Sequence, residues 1–156
     1  MRDRDIVVIG LLVLLAMTKK VIAWGTGWVF PVAGPGVRLT QEFKPVTHLG
    51  VDIVGPAGAH IVAARSGKVW STGETARGLN VVIDHGKPWA TFYQHLSRVD
   101  VVKGQVVIAG QSIGIIGADP TDHQHVRHLH FAMWYEGAGD NASVDPTHEM
   151  ASWRRI

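Results

Sequence analysis

After residue 30 the chain never sustains a helical period for ten residues. Its apolar stretches are short, β-branched and cut by Gly, Asp or Asn. They run His60–Ala64, Gly67–Trp70, Asn80–Asp84, Ala90–Gln94, Gln105–Ile108, Ser112–Ile116 and His128–Trp134. Strands spaced this way predict an all-β protein, a sandwich or barrel-like sheet. Asp145-Pro146-Thr147 reads as a turn before a short tail. No internal repeat or low-complexity tract interrupts the pattern.

The N-terminal stretch is of another kind. Ile6 to Met17 carries no charge. As a helix it reaches about 18 Å, short of a hydrocarbon core of about 30 Å. Extended to Trp24 it becomes long enough to span if Lys19 and Lys20 snorkel. A secretory signal, a retained membrane anchor or assembly segment, and a buried core helix all fit. The predicted organisation is a hydrophobic N-terminal helix at 1–24, a Gly/Pro-rich linker at 25–36, one folded domain at 37–149 and a tail at 150–156.

Chemistry is bounded by what is missing. The chain has no Cys, which excludes thiolate nucleophiles, disulfides and Cys-type metal sites. With 15 Lys+Arg against 13 Asp+Glu it carries no basic stripe of the sort that binds nucleic acid. Nine histidines remain. A transition metal here must be held by imidazole and carboxylate.

Three places concentrate those groups. His48-Leu49-Gly50-Val51-Asp52 sets a His and an Asp an even number of residues apart, so both can face one side. His128-Leu129-His130 puts two imidazoles on one strand face, with Leu129 on the other. Tyr93-Gln94-His95 repeats that spacing, so Tyr93 and His95 are expected on one face. A catalytic zinc needs three protein ligands and an open position. His48, Asp52 and one histidine of the His-x-His pair supply three. The other, with His95, is left beside the open side. No His-Glu-x-x-His motif exists, so a histidine must act as the base, for which its ordinary pKa is suited.

HLGVD at 48–52, YQHL at 93–96 and HLHF at 128–131, in that order, resemble the lysostaphin/LytM-type zinc endopeptidases. Ala64–Val69, Val82–Gly86, Val102–Val107 and Gly110–Gly114 supply a similar glycine framework. The resemblance covers about Arg38 to Pro146. It implies a small antiparallel β fold with a loop-lined groove, and Zn²⁺ bound by His48, Asp52 and His130. It also implies that His95 and His128 flank the attacking water, deprotonate it and stabilise the oxyanion or protonate the leaving amine. The implied substrates are peptide stems or cross-bridges of bacterial peptidoglycan. The N-terminal apolar segment is expected to hold such an enzyme at, or export it to, the envelope side, and a one-domain lysin of this kind fits a phage-encoded or virion-associated source. The alternative is a non-hydrolytic structural module of an envelope complex or virion. The Ala118–Arg127 loop is longer in side chain and more polar than the family's usual turn, so it is expected to shape a different groove wall.

Taken singly, other residues read more plainly. Tyr93 is expected in the core or the groove wall rather than as an oxyanion donor. His123 and His125 belong to a solvated loop, His85 to a turn, and His60 and His148 to the surface. Trp89 is a secondary candidate for the groove wall.

Overall fold

A computed structural model describes residues 27–135 and 143–156. The hydrophobic segment at 1–24, expected as a helix, lies outside the described residues. No helix among the described residues is long and apolar enough to cross a membrane.

Ten strands follow one another: β1 (Arg38–Gln41), β2 (Val51–Val54), β3 (His60–Val62), β4 (Gly67–Thr75), β5 (Gly78–Asp84), β6 (Trp89–Val99), β7 (Val106–Val107), β8 (Ser112–Ile116), β9 (His128–Tyr135) and β10 (Ser143–Val144). A single-turn helix, α1, covers Thr147–Met150. The main sheet has the order β1-β2-β9-β6-β5-β4-β7, with β10 beside β9 and the β3–β8 pair joined through β6. Every pairing between these strands is antiparallel. The fold is therefore the all-β, antiparallel one expected.

Period-two alternation explains which face is buried. In β9, Leu129, Phe131 and Met133 are at most 3% exposed, while His128, His130 and Trp134 face the other way. Val51 and Ile53 of β2 are fully buried on either side of Asp52. These residues join Tyr93, Ile61, Ile83 and Ile113 in one core. Each such side chain contributes about 1.5–3 kcal/mol by leaving water. The opposite face of the sheet stays open and carries the polar groups.

Strand β6 changes partner midway. Trp89 to Gln94 pair with β9, whereas Leu96 to Val99 pair with β8. On the β5 side the register slips too, because Leu79 faces Leu96 while Asn80 faces Gln94. His95 is the residue left over, and its φ is +68°. A bulge of this kind re-aims one side chain. The expectation that Tyr93 and His95 share a face is thereby corrected. Tyr93 points into the core and His95 points toward the open face.

The Gly/Pro-rich stretch at 25–36 is not a free linker where it is described. Val29, Phe30 and Val32 are 1–3% exposed. Val29 N donates to Ala64 O at 2.7 Å, and Phe30 N to Arg154 O at 2.9 Å. Trp28 stacks on Trp153 at 4.8 Å between ring centroids, so the tail is tied in as well. The five residues WVFPV are apolar enough to seal the core edge, which the surrounding Gly and Pro obscured in the sequence.

Candidate metal centre and its catalytic face

Asp52 of β2 lies directly opposite His130 of β9 in the strand register, so the pleat puts both on the open face. His48 arrives from the turn that precedes β2. That turn is closed by Lys44 N to His48 O and His48 N to Lys44 O, both 2.9 Å. The three side chains converge. His48 Nε2 is 3.0 Å from Asp52 Oδ1 and 3.1 Å from His130 Nδ1, and His130 Nδ1 is 3.0 Å from Asp52 Oδ1. Among the described residues this is the only cluster of three or more His, Asp or Glu groups with metal-holding geometry.

Those distances bear on whether an ion fits. Ligands about 2.0 Å from a tetrahedral zinc stand about 3.3 Å from one another. The observed triangle is within a few tenths of an ångström of that. The protonation chemistry points the same way. His48 Nδ1 lies 2.9 Å from Glu42 O. A carbonyl only accepts, so Nδ1 carries the hydrogen and neutral His48 presents a lone pair at Nε2. That lone pair faces a carboxylate oxygen, another acceptor. Two acceptors at 3.0 Å require a proton or a cation between them. Burial alone would oppose ionisation of Asp52, but the hydrogen bond from His130 and the proximity of His48, His130 and His128 hold its pKa below the usual value. The three side chains are 13%, 15% and 17% exposed, so the centre stays open on one side.

Gly50 makes room for this arrangement. A Cβ there would stand 2.7 Å from Phe131 O and 2.8 Å from Cε1 and Nε2 of His130. Any side chain at this position would meet the His130 ring and the β9 backbone.

Two further histidines stand at the open side. The His95 ring centroid is 4.7 Å from that of His128 and 6.1 Å from that of His130. His95 Nδ1 donates to Arg77 O at 2.7 Å, and His128 Nδ1 donates to Val126 O at 2.8 Å. Each therefore keeps Nε2 unprotonated when neutral. Burial lowers the pKa of His95. The Arg77 carbonyl and Asp119 oppose that shift, while His128 and His130 reinforce it. A neutral His95 at physiological pH is the consequence, able to accept a proton. Gly117 permits its bulge, since a Cβ there would come within 2.5 Å of His95 O.

The five residues singled out by the sequence motifs, His48, Asp52, His95, His128 and His130, thus gather on one face. The other candidates go elsewhere. Tyr93 is fully buried, and its hydroxyl lies 2.8 Å from Ala64 N and 2.9 Å from Thr91 Oγ1. Trp89 packs edge-on against Trp28 and Tyr135, at the far end of β6 from His95. His60 bonds Ser112 Oγ at 2.8 Å on the surface, and His123, His125 and His148 are exposed. His85 closes the β5–β6 turn as expected, its N donating to Trp89 O at 3.1 Å, and its two ring nitrogens also bridge Ser66 O and Thr91 Oγ1 edge-on to Trp28.

The motifs did not point to Asp119. It is 8% exposed, it accepts from Thr121 N and Oγ1, and its Oδ2 is 3.9 Å from His95 Nε2. Its only sequence signal is membership of the polar Ala118–Arg127 loop. Phe92 and Trp134 carry no motif either. They stack at 5.4 Å on the open face beside His130.

The chain is similar to known proteins in both sequence and fold. The chain is 38% identical over 127 residues to the peptidoglycan DD-endopeptidase ShyA of Vibrio cholerae, covering 72% of this chain and 29% of that protein. It is 33% identical over 116 residues to the murein hydrolase activator NlpD of Escherichia coli, covering 73% and 30%. The chain spans less than half the length of these curated relatives. Among solved structures, a zinc-containing peptidase from Vibrio cholerae superposes with a TM-score of 0.67 at 29% identity, covering 78% of this chain and 39% of that one. Lysostaphin from Staphylococcus simulans superposes with a TM-score of 0.66 at 25% identity, covering 75% and 51%. The sequence profile described as peptidase family M23 matches residues 46–146, the span that holds all five converging side chains, and the chain belongs to that family.

Proposed function

We propose that this protein is a zinc-dependent endopeptidase that hydrolyses peptide bonds in the stems or cross-bridges of bacterial peptidoglycan. The observation that carries the reading is the triangle of His48 Nε2, Asp52 Oδ1 and His130 Nδ1, flanked by two histidines that keep a lone pair at Nε2. The relative named a peptidoglycan DD-endopeptidase supports the substrate class, and the zinc-containing structural neighbour supports the metal.

In this reading His48, Asp52 and His130 hold the ion. A zinc ion so held supplies Lewis acidity toward a carbonyl and lowers the pKa of water to about 7. His95 and His128 handle protons at Nε2, one accepting from the attacking water and the pair steadying the oxyanion or returning a proton to the leaving amine. Arg77 O and Val126 O fix the tautomer of each ring. Phe92 and Trp134 floor the groove beside His130. The domain responsible takes in residues 37–149, closed by Trp28–Val32 and Trp153, and the apolar segment at 1–24 anchors or exports it to the envelope side.

A second reading draws on the relative named a murein hydrolase activator. There the same fold acts without hydrolysis, as a module of an envelope complex or virion. One experiment separates the two. The full chain is purified, its zinc measured, and purified peptidoglycan digested with mass spectrometry of the released muropeptides. His48→Ala and His130→Ala lose metal and activity, and His95→Ala keeps metal while losing turnover. Full lysis by His130→Ala would sink the mechanism. Zinc-loaded wild type that releases no new amino groups from any wall type favours the second reading instead.

A further inference from the structure

We propose that Val46 is a specificity-determining residue whose isopropyl group contacts an apolar part of the bound peptide at the rim of the metal centre. Three non-glycine residues among those described have positive φ: Val46 at +75°, His95 and His125. For a β-branched residue this backbone is a genuine outlier, since its Cβ crowds the neighbouring carbonyl. Folding does not offset that cost through packing, because Val46 is 90% exposed, more than any other large apolar side chain described. Gly or Asn would form the same turn without strain. The turn itself therefore gives no reason for a valine.

Its position does. Val46 sits at the apex of the turn closed by the paired Lys44–His48 hydrogen bonds, two residues before the ligand His48. His48 is itself tied back to Glu42 O. The apex is thus hydrogen-bonded at its base to the residue that enters the metal triangle, and Pro45 restricts it further by fixing its own φ. Strained residues of this kind cluster at active sites and ligand clamps. An isopropyl group has no donor or acceptor, so it discriminates only through apolar contact. The matching chemistry on a peptide is a small aliphatic side chain of the alanine kind, as opposed to glycine. The inference rests on the hydrolytic reading above.

Val46→Asn and Val46→Gly, made in the full chain, test it with measurements that do not all depend on turnover. Thermal melts of the zinc-loaded protein, zinc content, kcat and KM on purified peptidoglycan, and sedimentation with insoluble wall in a non-hydrolysing His95→Ala background are compared. Val46→Asn is expected to melt about 2–5 °C higher, with zinc content unchanged. Val46→Gly gains less, because glycine adds freedom to the unfolded chain. Both are expected to raise KM about threefold to tenfold, to hold kcat within about twofold, and to weaken wall binding in parallel. An unaltered melting temperature in Val46→Asn overturns the strain. A higher melting temperature with KM and wall binding as in wild type overturns the contact. If wild type itself neither binds nor cleaves any wall, the parent reading falls and this contact falls with it. Loss in the variants alone bears on Val46 only.

Discussion

Replacing Gly50 by Ala perturbs the candidate metal centre without replacing any of its three side chains. The added methyl would lie 2.7 Å from Phe131 O and 2.8 Å from two atoms of the His130 ring. Ordinary contact begins near 3.4 Å, so a shift of about 0.6 Å must be absorbed. Phe131 O belongs to β9, which is locked between β2 and β6 and can give little. The His130 ring is the freer partner. Metal–ligand distances tolerate about 0.2 Å, so the displaced Nδ1 leaves the coordinating position. Overpacking of this kind costs about 1–3 kcal/mol of stability. Disturbing the support of a ligand lowers metal affinity by about 10- to 100-fold. The assay is competition for zinc against a chelator of known affinity, with melts of the metal-free and zinc-loaded protein. Gly50→Ala should weaken zinc binding about 10-fold or more and lower the melting temperature of the metal-free protein by several degrees. Wild-type affinity in Gly50→Ala would refute the claim that Gly50 seats the His130 ring.

Other outcomes follow from the buried groups. Burial lowers His85 to a pKa of about 4, against about 6.5 unfolded. Between those values the unfolded chain binds the extra proton, so His85 favours the folded state fully above pH 6.5 and loses that contribution as pH falls toward 4, by about 3 kcal/mol in all. Urea melts from about pH 7 to about 4.5 should show a shallower decline in His85→Phe than in wild type. Tyr93→Phe removes the acceptor of the Ala64 N–H, which should cost about 1–3 kcal/mol in chemical denaturation and leave zinc affinity alone. Phe30→Ala should cost about 3–5 kcal/mol, because the ring is 2% exposed; a cost under about 0.5 kcal/mol would return this stretch to linker status.

Alternation made much of this legible before any coordinates. His128-Leu129-His130 and Val51-Asp52-Ile53 obey period two, and regular pairing of β2 with β9 puts the polar members together. Tyr93-Gln94-His95 obeys the same rule on paper and breaks it in the fold. Nothing in YQHL announces that β6 must pass from β9 to β8 at His95, a demand that comes from distant strands. The Trp28–Val32 stretch was obscured by its glycines and prolines, whose turn signal is local while the burial of Val29 depends on Ala64 and the tail. Gly50 and Asp119 were illegible for a related reason. Their neighbours, His130 and His95, come from segments remote in sequence.

The pairing of β2 with β9 also governs when the centre can exist. His48 and His130 are 82 residues apart, and Asp52 and His130 are 78 apart. Closing so long a loop belongs to the slow, non-local part of folding. A nascent chain that has not yet extruded residue 128 already carries His48, Asp52 and His95 but has no third ligand. If these three side chains hold an ion, its capture waits until β9 zips into the sheet, however early His48 and Asp52 are made.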